Sequence, residues 1–319
     1  MHPNGFRHEI LPYAGGRDGF VRSVSPLLRR ALDAGSPVLV AVRPELIDPL
    51  REDLGDDAGR VQFRNMRELA GNPARIIPLW ESFLDGQEAH GSRGALGVGE
   101  PALGIGEPVW PGRRAVEIEE CAIHEQLLDH AFSGRASWSL VCPYDLDGLE
   151  DEVIETAQRS HAFAYADGVS SANSRFVEGT GRPALSGTLP PPACGPVYTM
   201  DFREADLARV RRFVAACAER GHLGEDARGD LVLAVSELAA NSVQYGGGGG
   251  RCRVWSEGDM LLCEVSDSGH ITSPLVGRLG PTPEQIGGRG LWVVNQLCEL
   301  VQIRSGEDGT VVRIHAHAG

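Results

Sequence analysis

The chain has 319 residues, of which 42% are hydrophobic and 23% are charged, and this length and composition are typical of a globular protein with two domains. Its formal net charge of −14 argues against a surface that binds nucleic acid through the phosphates and against docking on an anionic membrane. A nucleotide can still bind such a chain where Mg²⁺, backbone N–H groups and one or two basic side chains supply local positive potential.

The first half of the chain alternates strand-like and helix-like patterns. The predicted strands are His8–Tyr13, Pro37–Val42, Val61–Phe63 and Trp138–Cys142, and the predicted helices are Phe20–Leu32, Glu45–Leu54, Ala74–Phe83, Arg114–Phe132 and Leu146–Arg159. This alternation predicts an α/β domain whose mostly parallel sheet has helices on its faces.

Two segments interrupt the pattern. Residues 91–112 are rich in Gly and Pro, and no strand or helix is predicted there. Residues 166–196 are rich in Ser, Gly and Pro. Such a segment cannot bury enough apolar area to order itself, and its prolines favour an extended spacer. We therefore predict a first domain at 1–165, a linker at 166–196 and a second domain at 197–319.

The pattern after the linker is different. The predicted elements are strand Val197–Phe202, helices Glu204–Arg220 and Asp226–Tyr245, strands Arg251–Ser256 and Leu261–Ser266, helix Gly288–Glu299, and strands Leu300–Arg304 and Thr310–His315. Adjacent strands without crossover helices predict an α+β domain with a mixed or antiparallel sheet and helices on one face.

The second helix of this domain carries a carboxylate and an amide on one face. Glu237 and Asn241 are one turn apart, beside an apolar stripe of Leu231, Val235 and Leu238 that is expected to face the sheet. An amide oxygen can bind Mg²⁺, which usually takes one or two protein oxygens and completes its shell with phosphates and water. The neighbouring carboxylate can accept a proton from an attacking hydroxyl.

Later segments supply further groups for a nucleotide. A strand ends in Asp267-Ser-Gly269, where the carboxylate can accept an adenine amino proton. The Gly-rich segment Gly287–Leu291 opens a helix, which is a ready site for an anion, and Arg289 can add a cation. Thr310 begins the last strand, where its hydroxyl can reach a water bound to the base.

The ordered set E-x-x-x-N, D-x-G, G-x-G and G-T on this pattern of elements resembles the N, G1, G2 and final GT boxes of GHKL ATP-binding domains, over residues 197–319. The resemblance implies a Bergerat-type α/β sandwich with a mixed sheet, and ATP and Mg²⁺ as ligands. The implied roles are general base for Glu237, Mg²⁺ ligand for Asn241, adenine recognition for Asp267, and phosphate binding near Gly288 and Gly290. To these roles the residues themselves add close backbone approach to the base at Gly269, a cation at Arg289 and a base-bound water at Thr310.

The compact segment Ser236–Val243 before a Gly-rich turn resembles the anti-sigma-factor serine kinases. That resemblance implies a sigma factor or a STAS-type anti-anti-sigma protein as partner, and a homodimer. Two departures stand out: Tyr245 replaces a frequent His, and His270-Ile271 follows Gly269 where a second Gly is usual. Because a β-branched residue lacks the conformational freedom of Gly, we expect the lid at 270–286 to differ in geometry.

Five short segments of the first domain resemble the MEDS sensory domain of bacterial and archaeal regulators, a distant relative of RecA-type folds. These segments are Phe6–Tyr13, Gly106–Gly112, His124-Glu125, Cys142–Asp145 and His161. The resemblance covers residues 6–165 and implies a RecA-like or Rossmann-like domain that senses a ligand, such as a small molecule, or a partner.

The turn at Ala14–Gly19 stands where a P-loop would be, but it lacks the Gly-Lys-Ser/Thr ending that holds phosphate and Mg²⁺, so no second nucleotide site is predicted. Open parallel sheets bind ligands at the carboxyl ends of their strands. The candidate signal-binding residues at or near such ends are Tyr13, Arg43, Cys142, Tyr144 and Asp145.

We therefore expect a sensor–regulator whose second domain binds Mg·ATP and acts as a protein serine kinase. A non-catalytic ATP-dependent switch that holds its partner is the alternative, and an atypical histidine kinase with His124 as phosphoacceptor is a third. The chain has no signal-peptide pattern and no apolar run of about 18 residues, which predicts a cytoplasmic location. Seven cysteines without a C-x-x-C pair favour buried reduced thiols.

Overall fold

The computed structural model describes residues 5–89, 101–135, 137–166, 168–177, 184–193, 195–281 and 288–318. The chain splits into two compact units, Met1–Gly181 and Arg182–Gly319. The six cysteines in the described part of the chain are buried and free, as expected for reduced thiols. No described helix is long and apolar enough to cross a membrane.

The first unit is built on a sheet of β1 (Phe6–Tyr13), β2 (Val38–Val42), β3 (Val61–Asn65), β4 (Ala102–Gly106), β5 (Trp138–Asp145), β6 (Phe163–Ala166) and β7 (Val169–Ala172). The strand order is β3-β2-β4-β5-β1-β6-β7. Every described pairing is parallel except that of β6 with β7. The predicted α/β fold with a mostly parallel sheet is confirmed.

Helices cover both faces of this sheet, and they are α1 (Gly16–Asp33), α2 (Pro44–Leu54), α3 (Met66–Ala70), α4 (Ile76–Ala89), α5 (Ala115–Phe132) and α6 (Asp151–Ser160). The apolar sides of α1 and α2 share one core with Val38, Val40 and Val42 of β2. On the opposite face, Trp80 of α4 and Phe132 of α5 pack against Trp138 of β5. A sheet buried on both faces explains the continuous apolar run of β2.

Strand β4 lies within the Gly- and Pro-rich segment where no element was predicted. It pairs with both β2 and β5, at the centre of the sheet. A Cβ added at Gly104 would lie 3.0 Å from Trp80, and one added at Gly106 would lie 2.9 Å from the same ring. The two glycines therefore make room for a tryptophan on the sheet, which explains why a central strand has a loop-like composition.

The second unit has a sheet of β8 (Tyr198–Arg203), β9 (Gly249–Glu257), β10 (Met260–Asp267), β11 (Leu300–Gly306) and β12 (Gly309–His317), with helices α7 (Leu207–Arg220), α8 (Glu225–Tyr245) and α9 (Gly290–Leu297). The strand order is β11-β12-β10-β9-β8, and the described pairings are all antiparallel. The predicted α+β architecture is confirmed.

The two faces of this second sheet differ in chemistry. One face shares an apolar core with the three helices, and the predicted stripe of Leu231, Val235 and Leu238 in α8 is buried in it. The other face buries the carboxylate of Glu264, which accepts hydrogen bonds from the guanidinium groups of Arg253 and Arg313. The core that positions α8 therefore lies on one side of the sheet only.

Parts of the segment predicted as a linker are ordered. Val169–Ala172 forms the edge strand β7 of the first sheet. Leu185 is buried in the core of the second unit, and its carbonyl accepts a hydrogen bond from the Ser305 N–H at 2.8 Å. The Pro190 carbonyl accepts one from Arg313 at 2.8 Å. Composition alone did not show that these residues find partners on the neighbouring sheets.

Candidate functional site

The second unit contains a cavity of about 300 Å³ between α8, the end of β10 and the start of β12. Five of the predicted site residues line it, namely Asn241, Asp267, Gly269, Gly288 and Thr310. Its apolar walls include Leu238, Val265 and Leu291. A concave site with apolar walls and a few convergent polar groups is typical of a small-molecule pocket.

The carboxylate of Asp267 is fixed at one end of this cavity. Its Oδ2 accepts a hydrogen bond from the Ser242 hydroxyl at 2.6 Å, and its Oδ1 accepts one from the Gly269 N–H at 2.8 Å. A Cβ added at Gly246 would lie 2.4 Å from Asp267 Cγ, so only a glycine fits there. A carboxylate has about four acceptor positions, which leaves some of them for a ligand donor.

A chain of hydrogen bonds ties the segment after Asp267 to the last hairpin. The Ile271 N–H donates to the Ser305 hydroxyl at 2.9 Å, and that hydroxyl lies 2.8 Å from the hydroxyl of Thr310. The Thr310 hydroxyl donates to the Gly269 carbonyl at 2.9 Å. Among the described non-glycine residues only His222 has a positive φ, so Ile271 does not need the backbone freedom of Gly.

Glu237 and Asn241 meet the start of α9. A Cβ added at Gly290 would lie 3.0 Å from Glu237 Oε2 and 3.0 Å from Asn241 Nδ2, so this glycine allows close contact with both side chains. Gly288 has a φ of +72°, which favours glycine, and Arg289 is exposed at the N-cap of α9. Glu237 is half-buried beside the cavity and does not line it.

The first unit brings three of the five candidate signal residues together. The Arg43 guanidinium lies 3.2 Å from the Tyr13 hydroxyl and 2.9 Å from a carboxylate oxygen of Glu107. Tyr13 and Asp145 stand opposite each other on β1 and β5. Burial raises the pKa of Glu107 to about 7, and the adjacent Arg43 offsets only part of that effect.

The turn that occupies the P-loop position has an acidic partner. The Gly15 N–H donates to the Asp147 carboxylate at 2.6 Å, and Gly15 has a φ of +91°. A Cβ added at Gly19 would lie 1.8 Å from the Ala14 carbonyl oxygen. The Gly15 N–H of this turn is therefore engaged by a carboxylate of the same unit.

The other two candidate signal residues, Cys142 and Tyr144, lie on the opposite face of β5, in a second cluster. Within that cluster, Glu125 Oε2 lies 2.8 Å from His8 Nε2 and 3.1 Å from His161 Nε2. Cys142 Sγ lies 3.5 Å from His8 Nε2. Burial acts to raise the pKa of Glu125, but the neighbouring His161 and His8 lower it well below its usual range.

A larger cavity of about 720 Å³ lies beside this second cluster, between α5 and α6. Glu125 and Tyr144 line it, together with Trp110 and the guanidinium of Arg113 that lies 4.4 Å from that indole ring. The first unit thus has a pocket of the size that small molecules occupy.

Comparisons with known proteins agree with the two-unit structure. A family model described as a histidine kinase-like ATPase domain matches residues 200–316. The model of MEDS, described as the methanogen/methylotroph DcmR sensory domain, matches residues 7–162. The chain carries a MEDS domain followed by a histidine kinase-like ATPase domain.

Solved structures are similar to part of the chain. One of them is the crystal structure of the RsbU and RsbW domains of a Mycobacterium tuberculosis protein, at 15% sequence identity and a TM-score of 0.30. The similarity covers 65% of this chain and 49% of that one, so the chain spans about half the length of that structure. No curated protein matches this chain.

Several groups in the two domains carried no clear sequence signal for a site. Ser242 lies one helical turn after Leu238, on the buried face of α8. A hydroxyl on an otherwise apolar helix face needs a hydrogen-bond partner, and this signal could have identified Ser242 as a site residue. In the MEDS domain, Glu107, Glu125 and His161 lie in segments that resemble the family, but only the fold shows which of them meet. His124 is 1% exposed on α5, a location that does not suit a phosphoacceptor.

The raised pKa of Glu107 predicts a pH-dependent stability of the MEDS domain. In the folded chain this carboxyl keeps its proton up to about pH 7, whereas its ordinary value is 4.5. The folded form therefore binds more protons between these values, so stability is highest below about pH 4.5 and falls by roughly 3 kcal/mol by about pH 7. Glu107→Gln removes this dependence.

The measurement is urea unfolding of the wild type, Glu107→Gln and the exposed-residue control Glu52→Gln at about pH 5 and about pH 8. We expect the wild type and Glu52→Gln to lose stability together with rising pH, relative to Glu107→Gln. The variant also leaves Arg43 without its carboxylate, so the slope and not the absolute stability is diagnostic. The same pH dependence of stability in all three proteins would show that the pKa of Glu107 is not raised.

Proposed function

We propose that the ATPase domain binds Mg·ATP and phosphorylates a serine of a STAS-type anti-anti-sigma protein in the cytoplasm, under control of a signal sensed by the MEDS domain. The observation that carries this proposal is the fixed carboxylate of Asp267 facing a cavity that Asn241 and Gly288 also line. The family match supports nucleotide binding, and the serine-kinase role rests on the resemblance of the α8 segment to anti-sigma-factor kinases.

The residues of the cavity suit the parts of a nucleotide. The free acceptor positions of Asp267 suit the amino group of adenine, and the apolar walls at Leu238 and Val265 suit the faces of the base. The amide oxygen of Asn241 suits Mg²⁺, a hard ion that prefers oxygen ligands and would neutralise charge on the phosphates. The glycine at 288 lets backbone approach the phosphates without a side chain in the way.

Glu237 is the group placed to act as general base. Its carboxylate lies next to Asn241 at the start of α9 and makes no hydrogen bond or ion pair with any described residue. In the proposed reaction, the serine hydroxyl of the partner loses its proton to Glu237 as its oxygen bonds to the γ-phosphorus of ATP and the bond to ADP breaks. A general base contributes about 10²–10⁴-fold to rate.

The test is transfer of labelled γ-phosphate from ATP to candidate STAS proteins from the same organism. Glu237→Gln should lower the transfer rate at least about 100-fold while the affinity for ATP changes little, because the amide keeps the shape of the side chain but cannot accept the proton. Glu219→Gln, an exposed position on α7, is the matched control and should behave as the wild type. Equal transfer by Glu237→Gln would exclude Glu237 as the base.

A non-catalytic switch is the second candidate. The observation that favours it is the pair His270-Ile271 after Gly269, which the turn at Ser305–Gly306 holds through hydrogen bonds to both residues. A lid anchored in this way can couple nucleotide binding to partner binding without any chemistry. Nucleotide-dependent capture of a sigma factor or STAS protein, with no phosphate transfer by the wild type, would establish this alternative.

A further inference from the structure

The MEDS domain contains a buried cluster of four metal-ligand side chains. His8, Glu125, Cys142 and His161 come from β1, α5, β5 and the residue after α6, and their ligand atoms all lie within 4.8 Å of one another. Each side chain is no more than 2% exposed. Burying ionisable side chains costs free energy, so the convergence of four of them at one buried position needs a physical reason.

Hydrogen bonding among the four side chains supplies that reason only for the contact of Cys142 Sγ with His8 Nε2 at 3.5 Å. Neither carboxylate oxygen of Glu125 has a hydrogen bond with suitable geometry, although two imidazole nitrogens lie close to Oε2. The Nε2 atom of His161 is likewise unsatisfied. Buried polar atoms that approach one another without hydrogen-bond direction are what is expected when their lone pairs point to a shared cation.

The tautomer of His161 also suits a metal ligand. Its Nδ1 lies 2.7 Å from the Ala157 carbonyl oxygen, which can only accept, so the ring proton is on Nδ1. The lone pair of Nε2 then points toward Glu125. Histidines that bind a metal commonly donate their other ring N–H to a backbone carbonyl, which fixes the orientation of the ring.

The spacing of the ligand atoms agrees with a tetrahedral site. Bonds of about 2.0–2.3 Å to N, O and S place neighbouring ligand atoms about 3.3–3.6 Å apart. The separations of His8 Nε2 and His161 Nε2 from Glu125 Oε2 are 2.8 and 3.1 Å, and that from Cys142 Sγ to His8 Nε2 is 3.5 Å. The two shorter of these separations must grow by a few tenths of an ångström to admit an ion, and all the ligand atoms lie within 4.8 Å of one another.

We propose that His8, Glu125, Cys142 and His161 bind one divalent transition-metal ion of the Zn²⁺ class in the MEDS domain. Two imidazoles, a carboxylate and a thiolate form a ligand set for a borderline-soft ion, and they do not suit Mg²⁺ or Ca²⁺. Glu125 also lines the cavity of about 720 Å³, which gives the ion a route to the site. The metal would then lie at the wall of the pocket where a small molecule can be sensed.

The experiment uses the full chain, stripped with a chelator and reloaded with Zn²⁺ or Co²⁺ in the absence of nucleotide. We expect one ion per chain to remain after desalting. The Co²⁺ form should show the visible bands of a tetrahedral site and a thiolate charge-transfer band. X-ray absorption of the Zn²⁺ form should show a shell of one sulfur with nitrogen and oxygen atoms.

Two matched serine variants locate the site. Cys142→Ser should remove the charge-transfer band and weaken binding at least about 10-fold. Cys121→Ser alters another buried cysteine of the same domain, whose thiol contacts the Pro108 carbonyl. This variant should leave the charge-transfer band and the metal affinity unchanged. The proposal fails if the wild type retains no ion, if the band persists in Cys142→Ser, or if the zinc shell is rich in sulfur. X-ray absorption of the wild type loaded with Zn²⁺ tests the proposal even if a variant does not fold.

Discussion

Asp267→Asn should weaken ATP binding by about 10- to 150-fold and leave the fold intact. The carboxylate is the charged acceptor at the wall of the ATPase cavity, and a hydrogen bond to a charged group contributes about 1.5–3 kcal/mol. An amide has the same shape, but its nitrogen cannot accept. With its one oxygen held by the Gly269 N–H, the variant offers the adenine amino group a poorer partner.

The fold survives this substitution because Ser242 has a second partner. Its hydroxyl lies 2.6 Å from Asp267 Oδ2 and 3.1 Å from the Leu238 carbonyl oxygen. In the variant, the hydroxyl can donate to that carbonyl and accept from the new amide nitrogen. No buried donor or acceptor is left unsatisfied, so the expected loss of thermal stability is small.

The matched control is Asp201→Asn. Asp201 pairs with Arg251 at the surface of the same domain, with 70% of its side chain exposed, and does not line the cavity. Titration of an ATP analogue by calorimetry, with and without Mg²⁺, should give wild-type affinity for this control. Unchanged affinity in Asp267→Asn would show that Asp267 does not contact the base, and a large fall in its melting temperature would show that the carboxylate acts on folding.

The convergence of the candidate residues in the second unit was largely predictable from sequence, because these residues are separated by regular elements. Glu237 and Asn241 share a helix face by periodicity alone, and Asp267 and Thr310 each stand at a strand end. The antiparallel pairing of β10 with β12 then places Asp267 opposite Thr310. The contact of Gly246 with Asp267 was not predictable, because a glycine in a glycine-rich turn has no side chain to indicate its neighbour.

The sites of the MEDS domain were less predictable for a related reason. Cys142, Tyr144 and Asp145 were grouped as candidates for one site because they lie at or near the carboxyl end of the same predicted strand. Alternation along β5 instead sends Cys142 and Tyr144 to one face and Asp145 to the other. Their actual partners come from other strands and helices, and only the order β4-β5-β1 decides which of those residues meet.

Gly309→Ala should destabilise the ATPase domain by about 2–4 kcal/mol. Gly309 has a φ of +113°, which L residues rarely adopt, and an added Cβ would lie 2.1 Å from the Asp267 carbonyl oxygen. The contact is with backbone, so no side-chain movement relieves it. Strand β12 must shift relative to β10, and the shift weakens the pairing that begins at Asp267 and Thr310.

The same turn offers the control. Gly306→Ala places a methyl group where nothing lies within 4 Å, and the φ of Gly306 is not positive. Such a substitution should be neutral or stabilise by up to about 1 kcal/mol, because it reduces the entropy of the unfolded chain. Urea unfolding, with hydrogen exchange of β10 and β12 to localise the change, should therefore separate the two alanine variants. Equal stabilities would mean that the backbone at 309 is free to relax.

Gly309→Ala and Asp267→Asn together separate two roles of the region where β10 ends and β12 begins, namely backbone pairing and ligand binding. The first acts on backbone pairing and should lower stability with or without nucleotide, whereas the second acts on an acceptor and should lower affinity alone. A bound ligand adds stability in proportion to its occupancy, so ATP should still raise the melting temperature of Gly309→Ala if the carboxylate remains in place. The absence of that rise would show that the tight turn, and not only the acidic side chain, shapes the end of the cavity at Asp267.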